Sequence, residues 1–277
     1  MNRLQALCLT LASLVCGVAS AASTTQDVSF INGQGITLTG KLYQPTTGTT
    51  PRPAVILMHG CSGFFSYSDK TKGIMSLYDD WAKALNNKGY VALVVNSFTP
   101  RNAPENQCSN GAAGTSEVTD RPYDSAAAAQ YLSGLASVNP DKIGALGWSH
   151  GGSSVLAALD RADIPGNELL KVGVSFYPGC GLFGAFGGIS TSTWTPDAPT
   201  LILHGDADAL YTSGYCDARV NNAKALGANV KMTPYVGAQH SFDQAKQVSD
   251  KWTQWDVNAK QSADPTAQLY LDAYLKN

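Results

Sequence analysis

Short apolar runs alternate along the chain with stretches of helical spacing. Residues 54–58 (AVILM) and 91–95 (VALVV) are unbroken apolar runs, the pattern of strands buried on both faces of a parallel sheet. Between them Ile74, Leu77, Tyr78, Trp81 and Leu85 recur at helical spacing, and Lys88-Gly89 ends that helix. Residues 28–31 and 37–43, joined by a turn at Asn32-Gly33, read as an antiparallel start. Further on, strands are predicted at 143–148, 172–176, 200–204 and 230–235. Helices are predicted at 122–136, 149–160 and 214–226, and two more close the chain. Residues 45–53, 97–120 and 179–196 are rich in Pro, Gly, Ser or Thr and read as loops. Strands alternating with helices predict an α/β fold: a mostly parallel central sheet with helices on both faces and antiparallel N-terminal strands.

The first residues break this pattern. Residues 1–22 carry Arg3, then an apolar stretch, then Ala19-Ser20-Ala21, which is the layout of a secretory signal peptide with an A-x-A cleavage site. The apolar stretch is shorter than the ~20 residues a membrane-spanning helix needs. Residues 1–21 are therefore read as a leader and 22–277 as a single domain, secreted or periplasmic, with no membrane insertion. Composition agrees with a globular chain: 44% hydrophobic, 14% charged and a net charge of −2 over 277 residues. Without a basic cluster there is no electrostatic case for nucleic-acid binding. Export also changes the meaning of the cysteines. Cys61, Cys108, Cys180 and Cys216 follow the leader, and in an oxidising compartment they suggest two disulfides, whose pairing spacing alone leaves open.

The chemistry is concentrated at Gly147-Trp148-Ser149-His150-Gly151. This is G-x-S-x-G between a predicted strand and a predicted helix, the context of a nucleophile elbow. A serine hydroxyl needs a base, and the chain has four histidines. His150 adjoins the serine and should point away from it. His59 directly follows a buried strand, where a backbone role is expected, and His204 ends another strand. His240 remains, in a loop after the last strand that can reach over the sheet edge. The base needs a carboxylate to orient it. Asp206 and Asp208 both follow the strand at 200–204, and Asp208 is favoured because a short turn usually separates strand and acid. The order Ser149, Asp208, His240 suits this elbow. The backbone amides of His150 and Cys61 are the expected oxyanion donors. No metal cluster, phosphate loop or dinucleotide fingerprint is present in the sequence, so no metal or cofactor is implied. The expected partner is a small-molecule ester, and oligomeric state is not indicated.

The segments PAVILMHGCSG, KGYVALVVNSFTPR, DKIGALGWSHGG, SFYPGCG, APTLILHGDADALY and GAQHSFD resemble the α/β-hydrolase fold, and more narrowly the dienelactone hydrolase-like family, over residues 22–277. The resemblance implies nucleophile Ser149, acid Asp208, base His240 and oxyanion amides of Cys61 and His150. One departure stands out. The family's dienelactone hydrolases use a Cys nucleophile assisted by a Glu near the oxyanion loop, whereas this chain has Ser149 and no Glu in residues 54–63. A secreted serine hydrolase of carboxylic esters is the reading that follows. A polyester depolymerase or peptidase on the same fold, or a non-catalytic binding protein, are the alternatives. Related enzymes hold a substrate carboxylate with an Arg in the loop that here contains Arg101, so Arg101 is either a substrate ligand or a structural brace. Trp148, with Trp194, is a candidate for an aromatic substrate cleft or for packing. Arg121 and Asp124 read as braces at a helix start. In this fold the strand at 54–58 lies between those at 91–95 and 143–148. That order brings Cys61 near Cys108, and Cys180 near Cys216, without crossing the cleft.

Overall fold

A computed structural model of the chain describes residues 23–66, 71, 73–108, 114–181, 186, 188, 192–211 and 213–277. The leader expected at residues 1–21 lies outside the described residues, as does part of the Gly-rich stretch 179–196.

Eight strands form one sheet: β1 (Ser23–Ile31), β2 (Thr37–Pro45), β3 (Arg52–Met58), β4 (Val91–Asn96), β5 (Val138–Trp148), β6 (Leu170–Phe176), β7 (Thr200–Gly205) and β8 (Val230–Tyr235). Their order is β1-β2-β4-β3-β5-β6-β7-β8. β1 and β2 pair antiparallel, with Phe30 opposite Leu38, and β2 runs antiparallel to β4. All later pairings are parallel. The helices are α1 (Ser76–Asn87), α2 (Arg121–Ser133), α3 (His150–Leu159), α4 (Ser213–Ala225) and α5 (Gln254–Leu275).

Alternation along the central strands decides which helix covers which face. Val55, Leu57, Val94 and Leu146 point into one core cluster with Trp81 and Leu85 of α1 and Leu271 of α5. Ala54, Ile56, Met58, Leu93 and Ala145 point to the opposite face, against Ala127 to Ala129 of α2 and Val155 and Leu159 of α3. The AAAA run puts small side chains around much of α2, which is buried along most of its length. The expectation of two closing helices is corrected. A 3₁₀ turn at Phe242–Gln244 precedes one 22-residue helix, α5, which continues through Pro265. α5 begins with a capping box: the Thr253 hydroxyl accepts from the Asp256 N–H while the Asp256 carboxylate accepts from the Thr253 N–H. Among the described residues no helix is long and apolar enough to cross a membrane.

The strand order places the C-terminal ends of β3, β5, β7 and β8 at one edge, where a doubly covered parallel sheet opens its ligand crevice. Two disulfides lie there, Cys61–Cys108 and Cys180–Cys216.

Candidate active site

β5 ends at Trp148 and α3 begins at His150, so Ser149 must turn the chain sharply. It does so with φ 51° and ψ −116°, a region that L-residues avoid. The flanking glycines make the turn possible. A Cβ at Gly147 would lie 2.2 Å from the Gly151 carbonyl oxygen, and one at Gly151 would lie 2.0 Å from that of Met58. The Ser149 N–H donates to Phe176 O on β6 at 2.9 Å, which fastens the elbow to the sheet.

The loop after β8 brings His240 over this elbow. Its Nε2 lies 2.9 Å from Ser149 Oγ and its Nδ1 lies 2.7 Å from Asp208 Oδ2. With Nδ1–H donating to the carboxylate, Nε2 presents a lone pair to the serine hydroxyl. Asp208 sits just past β7, and its Oδ1 accepts the N–H groups of Leu210 and Tyr211 at 2.8 and 3.0 Å. Burial pushes the Asp208 carboxyl upward. The hydrogen bond and charge of His240, together with those two amides, outweigh it and hold the group below the ordinary carboxylate range. Asp206 has a different task. Its Oδ1 accepts the Gly237 N–H at 2.6 Å and ties the β7 turn to the loop leading to His240. Asp256 braces the same loop, accepting the Gln239 N–H at 2.7 Å.

The other histidines are fully buried or turned away. His59 and His204 each hold a ring nitrogen 2.8 Å from the next residue's carbonyl, Gly60 O and Gly205 O. His150 Nδ1 lies 2.8 Å from Arg121 Nη1. Burial, then the Arg121 charge, pushes the His150 ring down to about 3, so it is neutral and accepts from the guanidinium at Nδ1. The His150 amide opens α3, where backbone N–H groups have no partner within the helix. Cys61 lies in the loop after β3, and its carbonyl accepts the Gln107 N–H at 2.8 Å beside its disulfide to Cys108. Both residues line a cavity of about 600 Å³ that contains Ser149 and His240.

Arg101 is engaged within the protein. Its guanidinium forms a bidentate pair with the fully buried Asp124 at 2.7 and 2.9 Å and donates to Ser97 O at 2.7 Å. It does not line the cavity over Ser149. Trp148 lines that cavity but is only 1% exposed. Its ring packs on Tyr78, Trp81 and Phe176, and its Nε1–H donates to Asp243 Oδ2 at 2.8 Å. Trp194 is buried too and donates to Leu156 O at 2.9 Å.

Asp243, not singled out from sequence, links both halves of the site. Its other oxygen accepts from the Tyr177 hydroxyl at 2.6 Å, and the Tyr177 ring packs edge-on to His240 at 4.6 Å. Burial pushes the Asp243 carboxyl up to about 6. Its place three residues after His240 was the available signal. Glu117, from the long polar loop, also lines the cavity, and nothing in its local sequence marks it.

No curated protein matches the sequence. Solved structures share the fold at low identity. A candidate dienelactone hydrolase from Klebsiella pneumoniae subsp. pneumoniae has a TM-score of 0.70 and 17% identity, covering 91% of this chain and 100% of its own. A dienelactone hydrolase-like promiscuous phosphotriesterase from metagenomic libraries has a TM-score of 0.68 and 16% identity, over 91% and 99% of the two chains. Esterase 2 of Thermogutta terrifontis has a TM-score of 0.64 and 16% identity, over 95% and 97%. The sequence model of one family matches residues 38–270, a span that runs from β2 into α5 and takes in the elbow, the β7 turn and the His240 loop; the chain belongs to the dienelactone hydrolase family.

Proposed function

We propose that this chain is an exported serine hydrolase that cleaves carboxylic esters through an acyl-enzyme. The single observation that carries the reading is His240, with one ring nitrogen 2.9 Å from Ser149 Oγ and the other 2.7 Å from Asp208. Ser149 Oγ attacks the ester carbonyl carbon and its proton passes to His240 Nε2. Asp208 keeps the imidazole in the required tautomer and stabilises the imidazolium. The amides of Cys61 and His150 take the developing oxyanion. The C–O bond to the alcohol then breaks, and His240 returns its proton to the leaving oxygen. Water attacks the acyl-enzyme, gives a proton to His240, and releases the acid with Ser149 restored. Export is supported by the leader-like residues 1–21 and by four cysteines paired as two disulfides.

The test is hydrolysis of p-nitrophenyl acetate by the wild-type protein and by Ser149→Ala, with paraoxon as a second probe. Turnover should vanish in Ser149→Ala, and paraoxon should add one diethylphosphoryl group at Ser149 and inactivate the protein. Full turnover in the variant, or labelling elsewhere with activity retained, would overturn the assignment.

A further inference from the structure

One acidic side chain stands in the described wall of the cavity over Ser149. Among its described lining residues, Glu117 is the sole carboxylate, and no Lys or Arg reaches the wall. Nearby cations are held elsewhere. Arg101 is bound to Asp124, and Arg121 is fully buried behind the His150 ring, off the wall. Burial pushes the Glu117 carboxyl upward, while the Arg121 charge acts on it from behind and favours its ionised form. His150 itself is neutral, because burial and Arg121 oppose its protonation. Its Nε2 lies 3.5 Å from Glu117 Oε2, and the neutral ring adds no positive charge beside that carboxylate. The Glu117 side chain is 18% exposed, open enough to meet a ligand yet partly shielded from water. Tyrosines complete the surroundings: the buried Tyr78 and Tyr177 and the half-buried Tyr211 also line the cavity. After burial, the Glu117 charge is the largest influence raising the Tyr211 hydroxyl to about 12, which sets the carboxylate within electrostatic reach of that ring. A carboxylate beside aromatic rings is the chemistry that receives an organic cation, through charge attraction and the negative ring face together.

From this we infer that the site takes esters carrying a cationic substituent, an amine or quaternary ammonium group, and that Glu117 determines this preference. The inference rests on the esterase reading for its turnover and goes beyond it in naming the substrate class. Acetylcholine and its uncharged isostere neohexyl acetate are the probes for hydrolysis by the wild-type protein and Glu117→Gln. Gln keeps the shape and removes the charge. The wild-type kcat/KM should favour the cation by roughly tenfold, the scale of one partly desolvated charge pair, and the ratio should fall close to one in Glu117→Gln. A wild-type ratio at or below one, or a ratio unchanged by the substitution, would overturn the inference while leaving the esterase reading intact. If neither ester is cleaved, p-nitrophenyl acetate still judges the esterase reading, and calorimetric binding of choline against neohexyl alcohol to the same two proteins decides the inference separately. Tighter binding of choline that is lost in Glu117→Gln supports it. Equal binding, or none of choline, overturns it.

Discussion

At the scale of single residues, two aspartates separated by one alanine do different work, and the difference lies in what each oxygen meets. Asp208 accepts from His240 and from two amides of its own turn, so its carboxylate is fixed in position as well as charged. Asp208→Asn would present an amide N–H₂ or a weaker acceptor to Nδ1 and favour the wrong imidazole tautomer. The expected loss in kcat is roughly 10³–10⁴, as in the serine-protease aspartate. Asp206→Asn should remain within about tenfold of the wild type, because an amide oxygen still accepts the Gly237 N–H. Steady-state kinetics of the two variants with one ester settles the roles, and a larger loss at Asp206 would reverse them. Ser149, His240 and the pair of aspartates were legible in the sequence because each follows a strand end by a short, typical spacing. Arg101 was legible only as a residue in the right loop. Whether it faces ligand or protein depends on Asp124, 23 residues away, and no local pattern reports that partner. Trp148 is similar: its place in the elbow could be read, but its bond to Asp243, 95 residues distant, could not.

At the scale of elements, β5 and the loop after β8 arrive from distant parts of the chain and must hold Ser149 and His240 in register. The Asp243 carboxylate joins them, taking the Trp148 N–H from the elbow and the Tyr177 hydroxyl from beneath the His240 ring. Its burial makes the charged form unfavourable, and the folded-state value is about 6 against an ordinary 3.8. Between those values the folded protein binds more protons at this site than the unfolded chain. By linkage, stability from Asp243 therefore falls as pH rises through that window. Asp243→Asn lacks this titration. Denaturant midpoints at pH 4 and pH 7 should show the wild type losing on the order of 2–3 kcal/mol relative to Asp243→Asn as pH rises. A gap that widens in favour of the wild type would mean that the two donors outweigh burial. The elements themselves were mostly readable. The doubly buried runs of β3 and β4 have no polar face to confuse their period, and the turn at Asn32-Gly33 marks the β1–β2 start. α5 was not readable as one helix, because Pro265 is ordinarily a helix breaker. Here packing of Ala259, Ala263, Ala267 and Leu271 against the sheet carries the helix through it.

At the scale of the whole molecule, two disulfides act on different parts of the fold, which allows their effects to be separated. Cys61–Cys108 closes a loop with a sequence separation of 47 and Cys180–Cys216 one of 36. Loops of this size restrict the unfolded chain by a similar amount, about 4 kcal/mol each in the chain-entropy model. Removing either bridge by paired Cys→Ala substitution should therefore lower stability comparably. Catalysis should respond unequally. The first bridge holds the residue whose amide is the proposed oxyanion donor, and Gln107 N–H to Cys61 O is its main additional restraint. The second joins α4 to the loop after β6, with both cysteines buried in a cluster that includes Leu156, Phe186 and Trp194. Loss of Cys61–Cys108 should lower kcat by at least about tenfold with KM little changed, since a displaced oxyanion donor weakens the transition state more than the ground state. Loss of Cys180–Cys216 should lower the melting temperature while the folded fraction keeps its kcat. Rates measured well below both melting temperatures, on oxidised protein with thiols counted before and after, provide the comparison. Equal losses of kcat in the two variants would show that the bridge beside Ser149 only stabilises the fold, and that the donor geometry is set by the Cys61 loop itself.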